Sequence, residues 1–228
     1  MQETNSNSRT SEHGTLASRI TDSIRTAIIN GEIAPGSKLS EPQLAIQFET
    51  SRGPIREAIR RLETQNLVRH VPHEGVRVIT LDDQEMSAIY EVREALEGMA
   101  AGLAAQRMSD EEIIELKELL QLHRNHQSET GEYMQADGDF DFHYRIIQGS
   151  KNQFLIRQLC DDLYHLIRMF RYRSSRFQNR SEMALIEHEQ LIHAISQRDS
   201  QLAEMIMRRH IARAREDIGA AMNQEDEA

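Results

Sequence analysis

Four residues in the second half of the chain carry side chains of the types that bind transition metals. Asp139 and His143 are four residues apart, so both side chains would leave the same face of a helix. His188 and His210 follow in two later segments with helical patterning. One carboxylate and three imidazoles suit a divalent metal, zinc in the first place and nickel or manganese as alternatives. Such a site would keep one or two coordination positions for water or a small carboxylate.

Spacing alone leaves a simpler interpretation of these residues open. The chain has 10 histidines, which allow many chance pairings. A single histidine on a helix is also more often structural or exposed than a metal ligand. His193, five residues after His188, would lie on a different helix face and is the weaker candidate.

A second group of residues could hold a phosphate backbone. The stretch SRGPIREAIRR (51–61) contains four arginines and one glutamate, and in a helix Arg52, Arg56 and Arg60 lie along one face. The whole chain is acidic, with a net charge of −10. Residues 1–80 carry 10 Lys plus Arg against 9 Asp plus Glu, a net +1, and residues 81–228 carry 17 against 28, a net −11. We therefore expect any nucleic-acid contact in the first segment, with a solvated arginine face as the alternative.

The elements that must position these arginines can be predicted from the first eighty residues. An apolar stripe with a period of four predicts a first helix, formed by Leu16, Ile20, Ile24 and Ile28. Ser40-Glu41-Pro42-Gln43 has the pattern of a capping box, and Ser51 with Pro54 behind it predicts the start of a third helix. Two short strands follow, at 67–71 and 76–79. Three helices and a β-hairpin wing are typical of a winged helix-turn-helix, whose third helix enters the major groove.

The rest of the chain has the pattern of helices, with no strand. Asp82 or Asp83 is expected to cap a long helix with the apolar face Met86, Ile89, Val92, Leu96, Met99 and Leu103. Ser109-Asp110-Glu111-Glu112 predicts the capping box of the next helix. Further helices are predicted at 131–148, 152–174, 181–197 and 200–222. Six helices with short connections imply an antiparallel bundle, so the predicted fold class is mainly α.

The predicted division of the chain follows from these elements. We expect a disordered tail at 1–14, the winged helix-turn-helix at 15–80, an all-helical domain for effector binding and dimerisation at 81–222, and a polar tail at 223–228. No apolar run approaches the roughly 18 residues of a membrane span, and the start of the chain lacks the apolar core of a signal peptide. The expected location is therefore the cytoplasm. Cys160 is the only cysteine, which excludes an intramolecular disulfide, and we expect it to be buried.

Several motifs of the first segment occur together in one known family. They are INGEIAPG (29–36), LSE (39–41), SRGPIREA (51–58), LV (67–68) and GV (75–76). Together they resemble the DNA-binding domain of the GntR family of bacterial transcriptional regulators. The resemblance implies DNA contacts by Ser51, Arg52 and Arg56 on the recognition helix and by Gly75 at the wing tip. Pro42 stands where many members have a charged residue, so one expected contact is absent here.

The later motifs resemble the FCD effector domain of the FadR subfamily. They are DFDFH (139–143), Asn152, EH (187–188) and RH (209–210). In metal-binding members an aspartate and three histidines hold the ion, which implies the roles of ligands for Asp139, His143, His188 and His210. The resemblance also matches Arg93 to an arginine that faces the effector cavity and could hold a carboxylate. A surface salt bridge between Arg93 and Glu97 is the alternative.

The function that these observations predict is a ligand-responsive transcriptional regulator, a repressor in most relatives of this kind. Two subunits would pair through the helical domains and bind a short palindromic operator in double-stranded DNA. A small organic acid bound at the metal would control that binding. The alternatives are a metal-dependent hydrolase, for which the sequence lacks an HExxH glutamate, and a sensor of the metal itself.

Overall fold

The structure, a computed structural model, describes residues 15–80, 82–130, 138, 141–174 and 180–226. Residues 15–80 form three helices and a three-stranded antiparallel sheet, as expected for a winged helix-turn-helix. The elements are α1 (Leu16–Ile29), β1 (Lys38–Leu39), α2 (Glu41–Gln47), α3 (Arg52–Thr64), β2 (Val68–Val71) and β3 (Gly75–Val78). The buried face of α3 consists of Ile55, Ala58, Ile59 and Leu62. It packs against the isoleucine stripe of α1, so the opposite, arginine-bearing face of α3 is left at the surface.

Two local predictions for this segment are wrong. Ser40 and Ser51 stand at the N-cap positions of α2 and α3, but neither side chain makes a capping hydrogen bond. The hairpin also gains a third strand, because Lys38 and Leu39 pair with Arg77 and Val76 in the strand order β1-β3-β2. A two-residue strand is too short to produce a recognisable alternation of polar and apolar residues.

Two of the left-handed backbone positions in this segment lie on either side of β2. Asn66, which follows α3, has φ 57°, a conformation that asparagine accepts more readily than most residues. Gly75 has φ 93° at the end of the turn between β2 and β3. The turn of the wing therefore requires glycine at this point, since a side chain would strain the backbone.

Residues 82–226 are helical wherever the structure describes an element. The elements are α4 (Asp83–Arg107), α5 (Asp110–Thr130), α6 (Phe142–Gly149), α7 (Gln153–Ile156), a π-helical segment (Arg157–Asp162), α8 (Tyr164–Ser174), α9 (Arg180–Ser196) and α10 (Ser200–Asp226). The long helices α4 and α10 run antiparallel, because Gln106 bonds Ser200 at one end and Glu91 pairs with Arg215 toward the other. Gly102 lies at this contact, where an added Cβ would stand 3.2 Å from the Ser200 carbonyl oxygen. No helix among the described residues is both long and apolar enough to cross a membrane.

Three predictions about the bundle need correction. The helix predicted at 131–148 is not continuous, because Asp141 adopts an extended conformation and its side chain caps a helix that begins at Phe142; residues 131–137, 139 and 140 lie outside the described residues. The helix predicted at 152–174 is interrupted by the π-helical segment. The apolar stripe predicted for α4 is also wrong in part, since Val92 and Met99 are both 46% exposed. The buried face of α4 carries polar and small residues instead, because it faces the site described below.

Other predictions for the bundle are confirmed. Ser109 and Glu112 exchange the two hydrogen bonds of a capping box. Asn152, one of the residues that resemble the FCD domain, also proves to be a cap, since it accepts from the backbone N–H groups of Phe154 and Leu155 at the start of α7. Cys160 is buried, and burial raises the pKa of its thiol to about 12. These elements follow from local signals, which explains why they could be predicted.

The strongest local signal in the bundle is the capping box at the start of α4. Asp82 accepts from the Glu85 N–H at 2.8 Å, and the Glu85 side chain accepts from the Asp82 N–H at 3.1 Å. We expect Asp82→Ala to lower the free energy of unfolding by about 1 kcal/mol, because the Glu85 N–H loses its capping acceptor. Chemical denaturation of the full chain measures this loss. Asp83→Ala, which removes an equal charge one residue later without breaking the box, should cost less.

Candidate functional site

Three buried histidines from three helices meet inside the bundle. His143 lies in the first turn of α6, His188 in the middle of α9 and His210 in the middle of α10. Their exposed fractions are 6%, 2% and 6%. One ring nitrogen from each lies within 4.8 Å of the others. The structure thus brings together three residues that are separated by up to 67 positions in the sequence.

Buried carboxylates determine which ring nitrogens face the centre of this cluster. Glu97 Oε2 is 2.7 Å from His143 Nδ1, and Glu187 Oε2 is 2.6 Å from His210 Nδ1. An ionised carboxylate can only accept, so each Nδ1 carries a proton and donates it. In the neutral rings the lone pairs are consequently on Nε2, and the Nε2 atoms of His143 and His210 face each other at 3.3 Å.

The distance between these two nitrogens matches a metal site. Two lone pairs facing each other at 3.3 Å repel, unless one ring carries a second proton or a cation lies between them. Two nitrogens bound at about 2.0–2.1 Å to a tetrahedral zinc ion are about 3.3–3.4 Å apart. His188 adds a third ring, with its centroid 4.8 Å from that of His210 and 5.3 Å from that of His143. The three imidazoles therefore suit a zinc-like ion, and the spacing of the His143 and His210 nitrogens matches it.

Arginines hold the two carboxylates in turn. Arg93 Nε donates to Glu97 Oε1 at 2.8 Å, and Arg213 donates to Glu187 Oε1. Burial alone would raise the pKa of Glu97, but the Arg93 charge and the hydrogen bond from His143 outweigh burial and hold that pKa well below its usual range. Glu97 is therefore ionised at neutral pH, as the assignment of the histidine protons requires.

Arg93 is buried, which decides between the two interpretations of its sequence context. It does pair with Glu97 four residues later, but both side chains are only 1% exposed, so a surface salt bridge is wrong. The Arg93 Nη1 atom and the Tyr90 hydroxyl are buried and have no hydrogen-bond partner among the described residues. Burial raises the pKa of Tyr90, so its hydroxyl remains a donor at neutral pH. Two unsatisfied donors thus lie one helical turn apart on the buried face of α4.

Asp139, the fourth predicted ligand, lies outside the described residues. Its neighbour Asp141 is 4% exposed and accepts from the N–H groups of His143 and Tyr144 at the start of α6. Arg171 of α8 pairs with the same carboxylate through both guanidinium nitrogens, Nη1 at 3.0 Å from Oδ1. Burial opposes ionisation of Asp141, but the Arg171 charge holds its pKa below the usual value. Asp141 therefore fixes the helix turn that carries His143.

Several of these side chains were not identified from the sequence as parts of a site. Glu187, Tyr90, Asp141 and Arg171 have no motif of their own that assigns a role. Glu187 is adjacent to His188, and the two side chains of consecutive helical residues point about 100° apart. Only the position of α10 shows that the Glu187 side chain contacts His210 and not the adjacent His188.

The predicted nucleic-acid contacts lie at the opposite end of the chain. Ser51 and Arg52 are exposed at the start of α3, and the Arg56 side chain is 60% exposed. Arg56 Nε donates to Glu41 of α2 at 2.8 Å, which orients the guanidinium. Gly75 is at the wing. The N-terminus of α3 adds the positive end of a helix dipole, so this surface is suited to phosphate.

The winged helix-turn-helix at residues 15–80, called the head below, contacts the helical bundle at residues 82–226 close to the π-helical segment. Asn66 Nδ2 donates to the Asp162 carbonyl oxygen at 3.0 Å. Asp162 ends the π-helical segment, and α8 begins two residues later and carries Arg171 to Asp141. The short segment from Asp162 to Arg171 thus links the contact with Asn66 to Asp141 at the start of the His143 helix.

Comparison with known proteins agrees with this architecture. Residues 16–78 match the family model for bacterial regulatory proteins of the gntR family, and residues 88–213 match that of the FCD domain. The Nta operon transcriptional regulator of Aminobacter aminovorans is 30% identical over 71% of this chain and 73% of its own. The transcriptional repressor GlaR of Escherichia coli is 29% identical over 82% of this chain and 89% of the GlaR chain. The structure of E. coli McbR/YncC has a TM-score of 0.67 at 22% identity, covering 88% of this chain and 97% of that one.

These relatives are transcriptional regulators and not enzymes, which leaves the hydrolase alternative without support. The FCD match covers more than half of the chain, and the gntR match covers the segment before it. The chain is therefore a DNA-binding transcriptional regulator of the GntR family, with the FCD domain that is typical of the FadR subfamily.

Proposed function

We propose that this protein binds a short palindromic operator as a homodimer and that a small organic acid, held at a metal ion in the helical domain, controls the binding. We further propose repression as the mode of regulation, because GlaR is named a repressor. The division of labour would fall at about residue 80. The observation that carries the proposal is the cluster of three buried histidines, two of which direct Nε2 lone pairs at one point.

The metal would be held by His143, His188 and His210, with Asp139 proposed as the fourth ligand. Imidazole nitrogens and a carboxylate suit zinc, with nickel and manganese as alternatives. When bound, the ion supplies a positive charge and an open position for an oxygen ligand. No reaction is needed for this role, since the ion serves as an anchor.

Arg93 would bind the carboxylate of the effector. Among the residues that the structure describes, its buried Nη1 atom has no hydrogen-bond partner, and neither has the buried Tyr90 hydroxyl. Buried donors without partners cost free energy, and a carboxylate oxygen would remove that cost. Arg93 would keep Nε on Glu97 while it binds the ligand through its outer nitrogens.

On DNA, Arg52 and Arg56 would reach bases or phosphates from α3, Ser51 would contact phosphate at the helix start, and Gly75 would let the wing approach the duplex. The effector can change this binding only if it favours one arrangement of the two heads over another. The contact between Asn66 and Asp162 is where a movement of the bundle would reach the head.

A thermal-shift and DNA-binding experiment tests the proposal. Full-length protein loaded with zinc is melted with a panel of small organic acids, with and without a chelator, and its affinity for a selected operator is measured in parallel. We expect at least one acid to raise Tm and change operator affinity only when zinc is present. An effect of zinc alone on operator affinity would favour the metal sensor. Full operator control after chelation would contradict the metal site.

Arg93→Lys provides the sharper test of the effector contact. Lysine keeps the positive charge beside Glu97 but loses the guanidinium fork that binds a carboxylate through two donors. We expect the effector concentration for half-maximal response to rise about 10- to 100-fold, since a hydrogen bond to a charged group is worth about 1.5–3 kcal/mol. Operator titrations at increasing effector concentration measure it. Arg215→Lys, on α10, should leave the response unaltered.

A further inference from the structure

We propose that Glu97 and Glu187 are positioning residues that set the metal affinity of this site, by fixing which nitrogens of His143 and His210 face the ion. This inference rests on the proposed metal site but concerns two residues that are not ligands.

The first argument is the geometry of the two glutamates. Each uses one carboxylate oxygen to accept from a histidine Nδ1, at 2.7 Å for Glu97 and 2.6 Å for Glu187. Each uses the other oxygen to accept from an arginine, Arg93 or Arg213. The chain thus repeats one arrangement, Arg–Glu–His, from two different pairs of helices. Both repeats end on the same point between the Nε2 atoms.

The second argument concerns what each part of the arrangement does. A hydrogen bond to Nδ1 fixes the tautomer and ring orientation and makes Nε2 a stronger donor to a metal. The arginine balances the glutamate charge, which would otherwise be costly at 1% and 5% exposure. Without the carboxylates, each ring could carry its proton on Nε2, where it would block the ion.

A purely structural role explains the geometry less well. Glutamates that merely satisfied buried histidines would leave two Nε2 lone pairs opposed at 3.3 Å with nothing between them. In a chain without an ion, that arrangement is unfavourable unless one of the two rings carries a second proton. It becomes favourable when a cation occupies the point that both nitrogens face.

The test begins with Glu187→Gln, because Arg213 is 54% exposed and can be hydrated once its partner is neutral. Glutamine keeps the shape and an acceptor oxygen but loses the charge. We expect zinc affinity, measured by competition with a chromogenic chelator, to fall about 10- to 100-fold. Far-UV circular dichroism and operator binding of the zinc-free protein should be unchanged. Glu189→Gln, two residues later on α9 and paired with Arg124 at the surface, is the matched control.

Cobalt supplies a readout that a structural role would not change. The visible absorption of bound Co²⁺ reports ligand geometry, and we expect its bands to shift in Glu187→Gln and further in Glu187→Ala. Glu97→Gln, with Glu91→Gln as its control on α4, repeats the test should the first variant fail to fold. If folded Glu187 or Glu97 variants keep the zinc affinity and the cobalt spectrum of the wild-type protein, the inference about the glutamates is overturned, while the proposed metal site is not. A wild-type chain that binds neither zinc nor cobalt would overturn the proposed metal site as well.

Discussion

The His188→Ala variant is expected to lose zinc on purification, with an affinity lower than that of the wild-type protein by more than about 100-fold. Loss of an outer partner of a ligand already costs about 10- to 100-fold, and loss of the ligand itself should cost more. His188 stacks on Phe142 at a ring distance of 4.1 Å and brings the third nitrogen to the cluster. Zinc content by mass spectrometry and zinc titration measure the effect.

A histidine on the same helix supplies the control for this experiment. His193 is exposed on α9, five residues after His188, so His193→Ala removes an imidazole without touching the cluster. We expect wild-type zinc content in that variant. Operator binding of the zinc-free His188→Ala protein should also be intact, because the recognition surface belongs to residues 15–80. A normal zinc content in His188→Ala would contradict the proposed ligand set.

The second large effect is expected on DNA binding. Arg56→Ala should lower operator affinity by about 1–3 kcal/mol if the guanidinium reads a base, with relaxed specificity at one position. If it holds a phosphate, the loss should be similar for all sequences, and the slope of log affinity against log salt should fall by about 1. Arg56 lies near the start of α3 and its side chain is 60% exposed, so it could contact either a base or a phosphate.

Fluorescence anisotropy at several salt concentrations distinguishes these outcomes, with a duplex selected from a random pool by the wild-type protein. Arg61→Ala removes the same charge from the last turn of α3, where Arg61 pairs with Glu57, and should have a much smaller effect. Equal losses in both variants would indicate a general electrostatic effect and not a contact by Arg56. The ion pair of Arg56 with Glu41 is at the surface and contributes little to stability, so folding should not obscure the result.

Local signals explain how much of the fold could be predicted. The apolar face of α3, the capping boxes at Asp82 and Ser109 and the left-handed Asn66 each depend on residues only a few positions apart. The short connection between α2 and α3 also depends on residues that are close together in the sequence. Where local signals conflict, prediction failed: the Asp141 side chain competes with the helical backbone, and the helix predicted through this residue is interrupted there.

The site shows the limit of sequence patterns most clearly. His143, His188 and His210 were named as ligands, but their common point depends on how α6, α9 and α10 pack. Arg93 lies on the buried face of α4, which differs from the apolar face predicted for this helix. A helix face that lines a polar site has no apolar periodicity. Val92 and Met99 belong to that stripe and are exposed.

By itself, the sequence determined the two-part architecture, the arginine-bearing helix and the helices on which the histidines stand, because caps, turns and periodicity act over a few residues. Only the tertiary structure decided that Glu187 serves His210 rather than its neighbour, that Arg93 and Glu97 share a buried pair and that two Nε2 atoms oppose each other. Those contacts join residues up to 67 positions apart, and the packing of whole helices sets their distances.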